Sequence, residues 1–230
     1  MKENGAAEPA PPGKHRLSSH LSAAEWVPAA AAALLFIPLF TRRGFGPLDF
    51  WWAMSAAIIF LVGLAAAFDR GYLPALARDL SSGAACKIAL GLIAAAALYG
   101  VFWTGNEASR LLFPFAASDI GSVYGFKSGV PIVRVVLLMT LLIGPGEEIF
   151  WRAYLQRRWQ ARFGPWSGFL AAAALYALVH LASGNVMLVL AAGVCGLFWG
   201  FLYLKTGSVL LVAVSHTAWD LAVFILWPFH

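Results

Sequence analysis

Three pairs of polar residues, each spaced four apart, lie inside stretches of sequence that are otherwise apolar. The pairs are Glu148 with Arg152, Tyr176 with His180, and His216 with Asp220. Residues four apart share one face of an α-helix, so the two members of each pair can contact each other. A charge inside a bilayer costs several kcal/mol even on the mildest scales, and ionisable residues in membrane spans therefore pair and line a site. The pattern predicts an enzyme whose site lies within the membrane.

Glu147 stands directly before the first pair and points about 100° away from Glu148 around the helix. The two carboxylates then have different environments: Arg152 holds Glu148 ionised, and Glu147 is free to act as an acid or a base. The Gly144-Pro145-Gly146 sequence before them predicts a kinked helix with room beside it for water or a substrate backbone. The alternative interpretation is an ordinary kink with an ion pair.

The other two pairs suggest the remaining parts of a hydrolytic site. A carboxylate one helical turn from a histidine, as Asp220 is from His216, commonly orients the imidazole. His180 is interpreted either as part of the site or as a packing residue hydrogen-bonded to a neighbouring helix. Peptide hydrolysis needs a base within reach of water and a donor aimed at the developing oxyanion. Together the pairs could supply both.

Membrane-spanning helices must position these residues, because 61% of the 230 residues are hydrophobic and only 12% are charged. Ordinary soluble domains have roughly 45–50% apolar and about 25% charged residues. The predicted fold is all-α, a polytopic transmembrane helical bundle of about seven spans. The apolar runs are Trp26–Phe40, Leu48–Phe68, Ala84–Trp103, Pro131–Tyr154, Trp166–Ala182, Val186–Leu204 and Val209–Pro228.

The charged residues predict how the chain is arranged in the membrane. Residues 1–25 are expected to form a disordered cytoplasmic tail, and residues 26–230 the membrane-embedded domain. The first run is short, so six spans is the alternative count. Eleven Lys and Arg residues flank the runs on the side of the amino terminus and five on the other. This asymmetry predicts a cytoplasmic amino terminus and an outer carboxyl terminus, and the net charge of +5 does not indicate nucleic acid.

Three further features carry structural predictions. The connection from Thr104 to Gly129 mixes charged and large apolar residues, which predicts an interfacial segment or a lid. Gly196 and Gly200 predict close helix packing. Cys86 and Cys195 lie in apolar runs without a partner motif and are expected to be buried.

One distance does not fit this arrangement. At 1.5 Å per residue, Glu147 lies about 12 Å from the end of its span if the span ends near Tyr154, whereas His180 lies about 20 Å from the start of its own. The two residues can meet only if the helices tilt or if the fifth helix begins deeper than Trp166.

The three motifs together resemble those of the CPBP family of intramembrane proteases. In this sequence they are Glu-Glu-x-x-x-Arg at 147–152, Tyr-x-x-x-His at 176–180 and His-x-x-x-Asp at 216–220. The family includes eukaryotic CAAX-processing endopeptidases and bacterial bacteriocin-processing or self-immunity proteins. The likeness covers about residues 133–227, and the first three spans match only as apolar helices.

The resemblance implies an intramembrane endopeptidase that cuts a peptide bond in or near the membrane-anchored part of its substrate. The catalytic residues that it implies are Glu147, His180, His216 and Asp220, with Glu148, Arg152 and Tyr176 supporting the site. Glu147 would activate water with His180, and His216, supported by Asp220, would stabilise the oxyanion. Two positions depart from the family: Tyr176 stands where many members have Phe, and Asp220 where the eukaryotic enzymes have Asn. An aspartate donates a hydrogen bond to an oxyanion only when it is protonated.

Alternatives remain open for both mechanism and function. Two His and one Glu are a common zinc set, so a metal-dependent variant would use Glu147, His180 and His216 as ligands. The missing HExxH motif and the origin of these residues on three helices favour a glutamate mechanism without a cofactor. A non-catalytic scaffold or bacteriocin immunity protein is a second function. A proton-coupled transporter is a third, and the lack of an internal repeat argues against it.

The expected partners are the lipid bilayer and a membrane-anchored protein or peptide substrate, with no nucleic acid. The short cytoplasmic tail and the absence of soluble domains are typical of a small bacterial member, which predicts the inner (plasma) membrane. A prenylated protein, a bacteriocin-type peptide and a carboxyl-terminal sorting tail all remain open as substrates.

Overall fold

The chain forms nine helices over residues 23–229, the part that the structure, a computed structural model, describes. They are α1 Ala23–Arg42, α2 Phe50–Phe68, α3 Tyr72–Ser81, α4 Ala84–Leu112, α5 Ala116–Tyr124, α6 Ile132–Phe163, α7 Pro165–His180, α8 Val186–Thr206 and α9 Val209–Leu226. Most of the tail predicted for residues 1–25 lies outside the described residues, and its last three residues already belong to α1.

Helices account for nearly all of the described residues. The strands β1 Gly44–Phe45 and β2 Leu48–Asp49 pair as an antiparallel hairpin and form the only sheet within residues 23–229. Six helices are long and apolar enough to cross a membrane. The charged helix α6 adds a seventh when it is taken together with Ala116–Lys127, from which it bends by 94°. The predicted all-α transmembrane bundle is confirmed, and the protein is an integral membrane protein.

Helix α6 continues through Pro145 and well past the predicted end of its span at Tyr154. The turns on either side of Gly144–Glu148 are widened into π-helix, at Met139–Ile143 and at Ile149–Gln156. Because proline has no N–H to donate, a wide turn before it is a way to redistribute the backbone hydrogen bonds without ending the helix. The helix is longer than the apolar run, because the mostly polar residues after Tyr154 form further helical turns up to Phe163.

The long connection predicted between α4 and α6 is mostly helical. Helix α4 extends to Leu112, and α5 follows after three residues. The Asp119 carboxylate accepts the Val186 N–H at the start of α8 (3.0 Å). The Asn185 amide donates to Ser122 Oγ and to the Asp119 carbonyl, both at 2.8 Å. Helix α5 is therefore fastened across one end of the bundle.

The chain reverses between successive spans, so its connections gather at two ends. We call the end that contains α5 the cavity end; it comprises residues 41–49, 106–134, 180–187 and 222–229. Lys127 Nζ donates to the Phe224 carbonyl there (2.6 Å), and Trp51 Nε1 donates to the Phe126 carbonyl (2.9 Å). We call the opposite end the basic end; it comprises residues 23–25, 68–88, 156–168 and 203–210.

Asp79 joins two elements at the basic end. Its carboxylate accepts hydrogen bonds from Lys87 Nζ (2.7 Å), from the Leu210 N–H (2.8 Å) and from Ser208 Oγ (3.3 Å). Burial alone would raise the pKa of Asp79, but these hydrogen bonds outweigh it and hold the pKa below its ordinary value. The contacts fix α3 against the start of α9.

Close packing of α7 on α8 depends on the two predicted glycines. A Cβ atom at Gly200 would lie 2.8 Å from the Phe169 ring, and one at Gly196 would lie 3.1 Å from the Ala173 carbonyl oxygen. The predicted close contact is confirmed. Cys195 is buried as expected, whereas the expectation was wrong for Cys86, which is exposed in the first turn of α4.

Candidate functional site

The true end of α6 removes the mismatch in depth between the first two motifs. Glu147 is 16 residues from Phe163, roughly 24 Å at 1.5 Å per residue and somewhat less across the π turns. His180 is 15 residues from the start of α7 at Pro165, roughly 22 Å. Helix α6 ends at Phe163 and α7 begins at Pro165, so both distances are measured from the same place at the basic end. Glu147 and His180 therefore reach similar depths without a special tilt.

Glu147 is buried, with 5% of its surface exposed, and lies beside the second motif. The Tyr176 hydroxyl donates a hydrogen bond to Glu147 Oε2 (2.9 Å). Because a phenol hydroxyl keeps its donor at neutral pH, this bond fixes the carboxylate without neutralising it. The tyrosine is thus linked to the carboxylate that the sequence singled out as a base.

Glu148 is fully buried and makes two polar contacts through one oxygen. Arg152 Nη1 donates to Glu148 Oε1 (2.9 Å), which is the predicted pair of the first motif. His216 Nδ1 lies 2.7 Å from the same oxygen. The guanidinium also stacks over the rings of Tyr176 and Trp199, at 4.8 and 5.7 Å from their centres. The Glu148–Arg152 pair therefore connects α6 to α7, α8 and α9.

His216 has a closer carboxylate than the one expected from its own motif. Its Nε2 lies 3.4 Å from Asp220 Oδ2, against 2.7 Å between Nδ1 and Glu148. The indole of Trp199 stacks on the imidazole with ring centres 3.8 Å apart and planes 22° apart. The orienting role that the sequence gave to Asp220 thus falls chiefly to Glu148 and Trp199. Trp199 was missed, and its position between two close-packing glycines was the available signal.

His180 completes the second motif at the end of α7. Its Nδ1 lies 2.7 Å from the Tyr176 carbonyl oxygen, which can only accept a hydrogen bond. Nδ1 therefore carries the proton, and Nε2 is left for another partner. The Phe40 ring packs against the imidazole with centres 4.5 Å apart. These contacts hold the ring in one tautomer and one orientation.

The glycines beside Pro145 serve a different purpose from the one predicted. A Cβ atom at Gly144 would lie 2.7 Å from Thr217 Oγ1, and one at Gly146 would lie 2.3 Å from Ile58 Cγ2. The sequence suggested that the missing side chains leave room for water or substrate. The structure shows instead that neighbouring helices fill this space. The two glycines allow α9 and α2 to pack directly against α6, which carries the carboxylates.

All four predicted catalytic residues line one cavity of about 520 Å³. Most of its wall is apolar and aromatic, and α5 covers it at the cavity end through Ile120 and Val123. Val101 on α4 and Leu190 on α8 also line the cavity, and they are 50% and 53% exposed. Because lining residues that are also exposed mark a rim, the cavity opens sideways between α4 and α8. It joins a polar site to the lipid-facing surface.

The alternative metal-binding set does not converge in this geometry. Within residues 23–229, no group of three His, Cys, Asp or Glu side chains has an arrangement that could hold a metal ion. Both ring nitrogens of His216 face carboxylates, and Nδ1 of His180 faces a carbonyl. The residues do not fit a bound metal as they stand, so we derive no step through one.

The comparison with protein families agrees with the motifs. Residues 129–222 match the family described as "Type II CAAX prenyl endopeptidase Rce1-like". The match covers all seven predicted site residues and confirms the resemblance to the CPBP family over this segment. No curated protein and no solved structure matches the chain.

Proposed function

From the Rce1-like family match of residues 129–222, we propose that this integral membrane protein is an intramembrane endopeptidase. It hydrolyses a peptide bond in or near the membrane-anchored part of a protein or peptide. The observation that carries the proposal is the placement of Glu147 and His216 on the wall of one cavity that also opens to lipid. A base and an oxyanion donor then face the same bound peptide.

In the proposed mechanism Glu147 is the general base. Its carboxylate, oriented by the Tyr176 hydroxyl, accepts a proton from a water molecule. His180 accepts a hydrogen bond from the same water through Nε2, because its Nδ1 is engaged with a carbonyl. The water oxygen then attacks the carbonyl carbon of the scissile bond. Glu147 afterwards gives its proton to the leaving amine, which breaks the C–N bond.

His216 is the proposed donor to the tetrahedral oxyanion. Glu148 and Trp199 hold its ring, and Nε2 is the atom left to face the substrate. A substrate oxygen must compete for Nε2 with Asp220, whose 3.4 Å separation leaves that contact weak. Donors already in place at a water-poor site stabilise developing charge more than donors in water. This mechanism needs no cofactor.

The experiment compares protein termini in membranes by mass spectrometry. Cells express the wild-type chain, Glu147→Gln, or the control Glu107→Gln, which makes the same chemical change at an exposed position of α4. We expect new termini with the wild type and with Glu107→Gln, and none with Glu147→Gln at equal abundance in the membrane. The termini also identify the substrate.

Termini that appear equally with Glu147→Gln would contradict the role of Glu147 as base. If the wild type and both variants give the same termini in the native host, where the substrate is present, and none of these termini requires the protein, the scaffold interpretation replaces the protease. Detergent-extracted wild type and Glu147→Gln should elute identically from a sizing column, which shows that the variant is folded.

A further inference from the structure

The cavity lies toward one end of the bundle. Beyond the catalytic residues, its wall includes α5, the last turns of α4, the first turns of α2, and α8 from Met187 to Trp199. None of the cavity-lining residues belongs to the basic end as defined above. His180 is the last residue of α7, and Asp220 is six residues from the end of α9, roughly 9 Å. Water and substrate therefore reach the site from the cavity end or from the side.

The two ends differ in their basic residues. The described residues place seven at the basic end and five at the cavity end. Those at the basic end are Arg70, Arg78, Lys87, Arg157, Arg158, Arg162 and Lys205. The sequence before α1 adds Lys2, Lys14 and Arg16 ahead of a helix that starts at this end. Arg152, which the sequence assigned to the same flank, is buried beside Glu148 and does not count as interfacial.

Lys and Arg near the ends of spans collect on the cytoplasmic side of a membrane. Ten basic residues belong to the basic end and five to the cavity end. This difference favours a basic end in the cytoplasm and a cavity end on the outer side of the membrane. Three of the five residues at the cavity end have local partners: Arg134 pairs with Asp49, Lys127 bonds the Phe224 carbonyl, and Arg43 lies 4.8 Å from the Phe126 ring centre.

We propose that the cavity opens on the extracytoplasmic side of the membrane. The substrate class, which rests on the proposed function, is then a membrane-anchored polypeptide whose cleavage site lies on the outer side of its span. Such a chain enters through the lateral opening between α4 and α8 and passes beneath α5. Cleavage releases the outer part of the substrate and leaves its span in the bilayer, with the cytoplasmic flank attached.

The test is the accessibility of single cysteines in sealed right-side-out membrane vesicles that contain the full chain. Cys195→Ala leaves Cys86 as a natural marker of the basic end. In the Cys86→Ala, Cys195→Ala background, Gly121→Cys places a marker on the exposed face of α5, where a side chain meets no neighbour within 4 Å. Ser109→Cys in the same background reports from the cavity wall. The probe is a membrane-impermeant maleimide, added before or after lysis of the vesicles.

We expect Gly121→Cys and Ser109→Cys to be labelled in sealed vesicles at least tenfold more than the Cys86 marker. Cys86 should react only after lysis. Labelling of Cys86 in sealed vesicles, with Gly121→Cys protected until lysis, would overturn the proposal. Labelling of Gly121→Cys with protection of Ser109→Cys would overturn the proposed route into the cavity. If Gly121→Cys does not accumulate, Ser128→Cys, also exposed at the cavity end, replaces it.

This result does not depend on proteolysis. The same labelling pattern is expected when Glu147→Gln is added to each variant, because the orientation of the protein in the membrane is set at insertion and does not require catalysis. Failure of the protease proposal would thus leave the labelling unchanged. Reversed labelling would leave cleavage, and its dependence on Glu147, untouched.

Discussion

Removal of the Glu148 carboxylate should destabilise the protein strongly, and a second substitution should restore much of the loss. In Glu148→Leu, Arg152 is left as a buried cation, with 2% of its side chain exposed, beside the rings of Tyr176 and Trp199 and without the carboxylate that it pairs with. Removing one partner of a buried ion pair costs about 3–5 kcal/mol. Each 1.4 kcal/mol is a factor of ten, so the unfolding equilibrium should shift by roughly 10²- to 10⁴-fold.

The double variant Glu148→Leu, Arg152→Met removes both charges at similar volume. Replacing a whole buried pair in this way is often neutral or stabilising, by up to about 4 kcal/mol. His216 still loses the partner of its Nδ1, which costs about 1–3 kcal/mol. We therefore expect the double variant to be at least about 2 kcal/mol more stable than Glu148→Leu, yet unable to cleave substrate because His216 is no longer oriented.

Equilibrium unfolding in mixed detergent–SDS micelles, followed by tryptophan fluorescence, measures these differences. A cost below about 1 kcal/mol for Glu148→Leu would refute the argument from a buried pair. So would a double variant that is no more stable than the single one. Full cleavage activity in the double variant would refute the assignment of Glu148 as the group that orients His216.

Three further predictions concern single hydrogen-bonding groups. Tyr176→Phe removes the donor to Glu147; because bonds to charged groups contribute about 1.5–3 kcal/mol, single-turnover cleavage should slow by about tenfold or more with the fold intact. Asp220→Asn and Asp220→Leu should both retain most of the cleavage in the same assay, because Glu148 and Trp199 hold the His216 ring and the Asp220 contact with Nε2 is weak. Loss of cleavage in Asp220→Leu would return the orienting role to Asp220. The pKa of Asp79 in the folded protein is below its ordinary value, so the ionised carboxylate stabilises the fold above about pH 4. This stabilisation is lost as the pH falls through the lowered pKa of the folded state. The thermal stability of wild type should exceed that of Asp79→Asn at pH 7 and approach it toward pH 3, and a constant difference would contradict the linkage.

Much of the site could be predicted because its contacts repeat the helix period. The Glu148–Arg152 pair lies within one helix, so four-residue spacing was enough to predict it. The contacts of Glu148 with His216 and of Tyr176 with Glu147 join different helices. Their distances depend on how α6, α7 and α9 pack, which periodicity within one helix does not contain.

The helices extend further along the sequence than the apolar runs that predicted them. Hydropathy marks the part of a helix that lies in lipid. Helices α4 and α6 continue past the ends of their apolar runs, to Leu112 and Phe163. The glycines at 144 and 146 were misread for a related reason. A missing side chain can make space or allow contact, and only the position of the neighbouring helix decides between them.

The wide turn at Met139–Ile143 has a consequence for insertions and deletions along this helix. A π turn holds one residue more than the α-helical turn that it replaces. Deleting one residue there would restore plain α-helix and rotate the carboxylate segment by about 100° relative to the start of α6. Either the Arg134–Asp49 pair or the contact of Gly146 with Ile58 would then be lost. The number of residues between Arg134 and Glu147 is thus fixed by geometry, although none of the residues in the wide turn needs to touch a substrate.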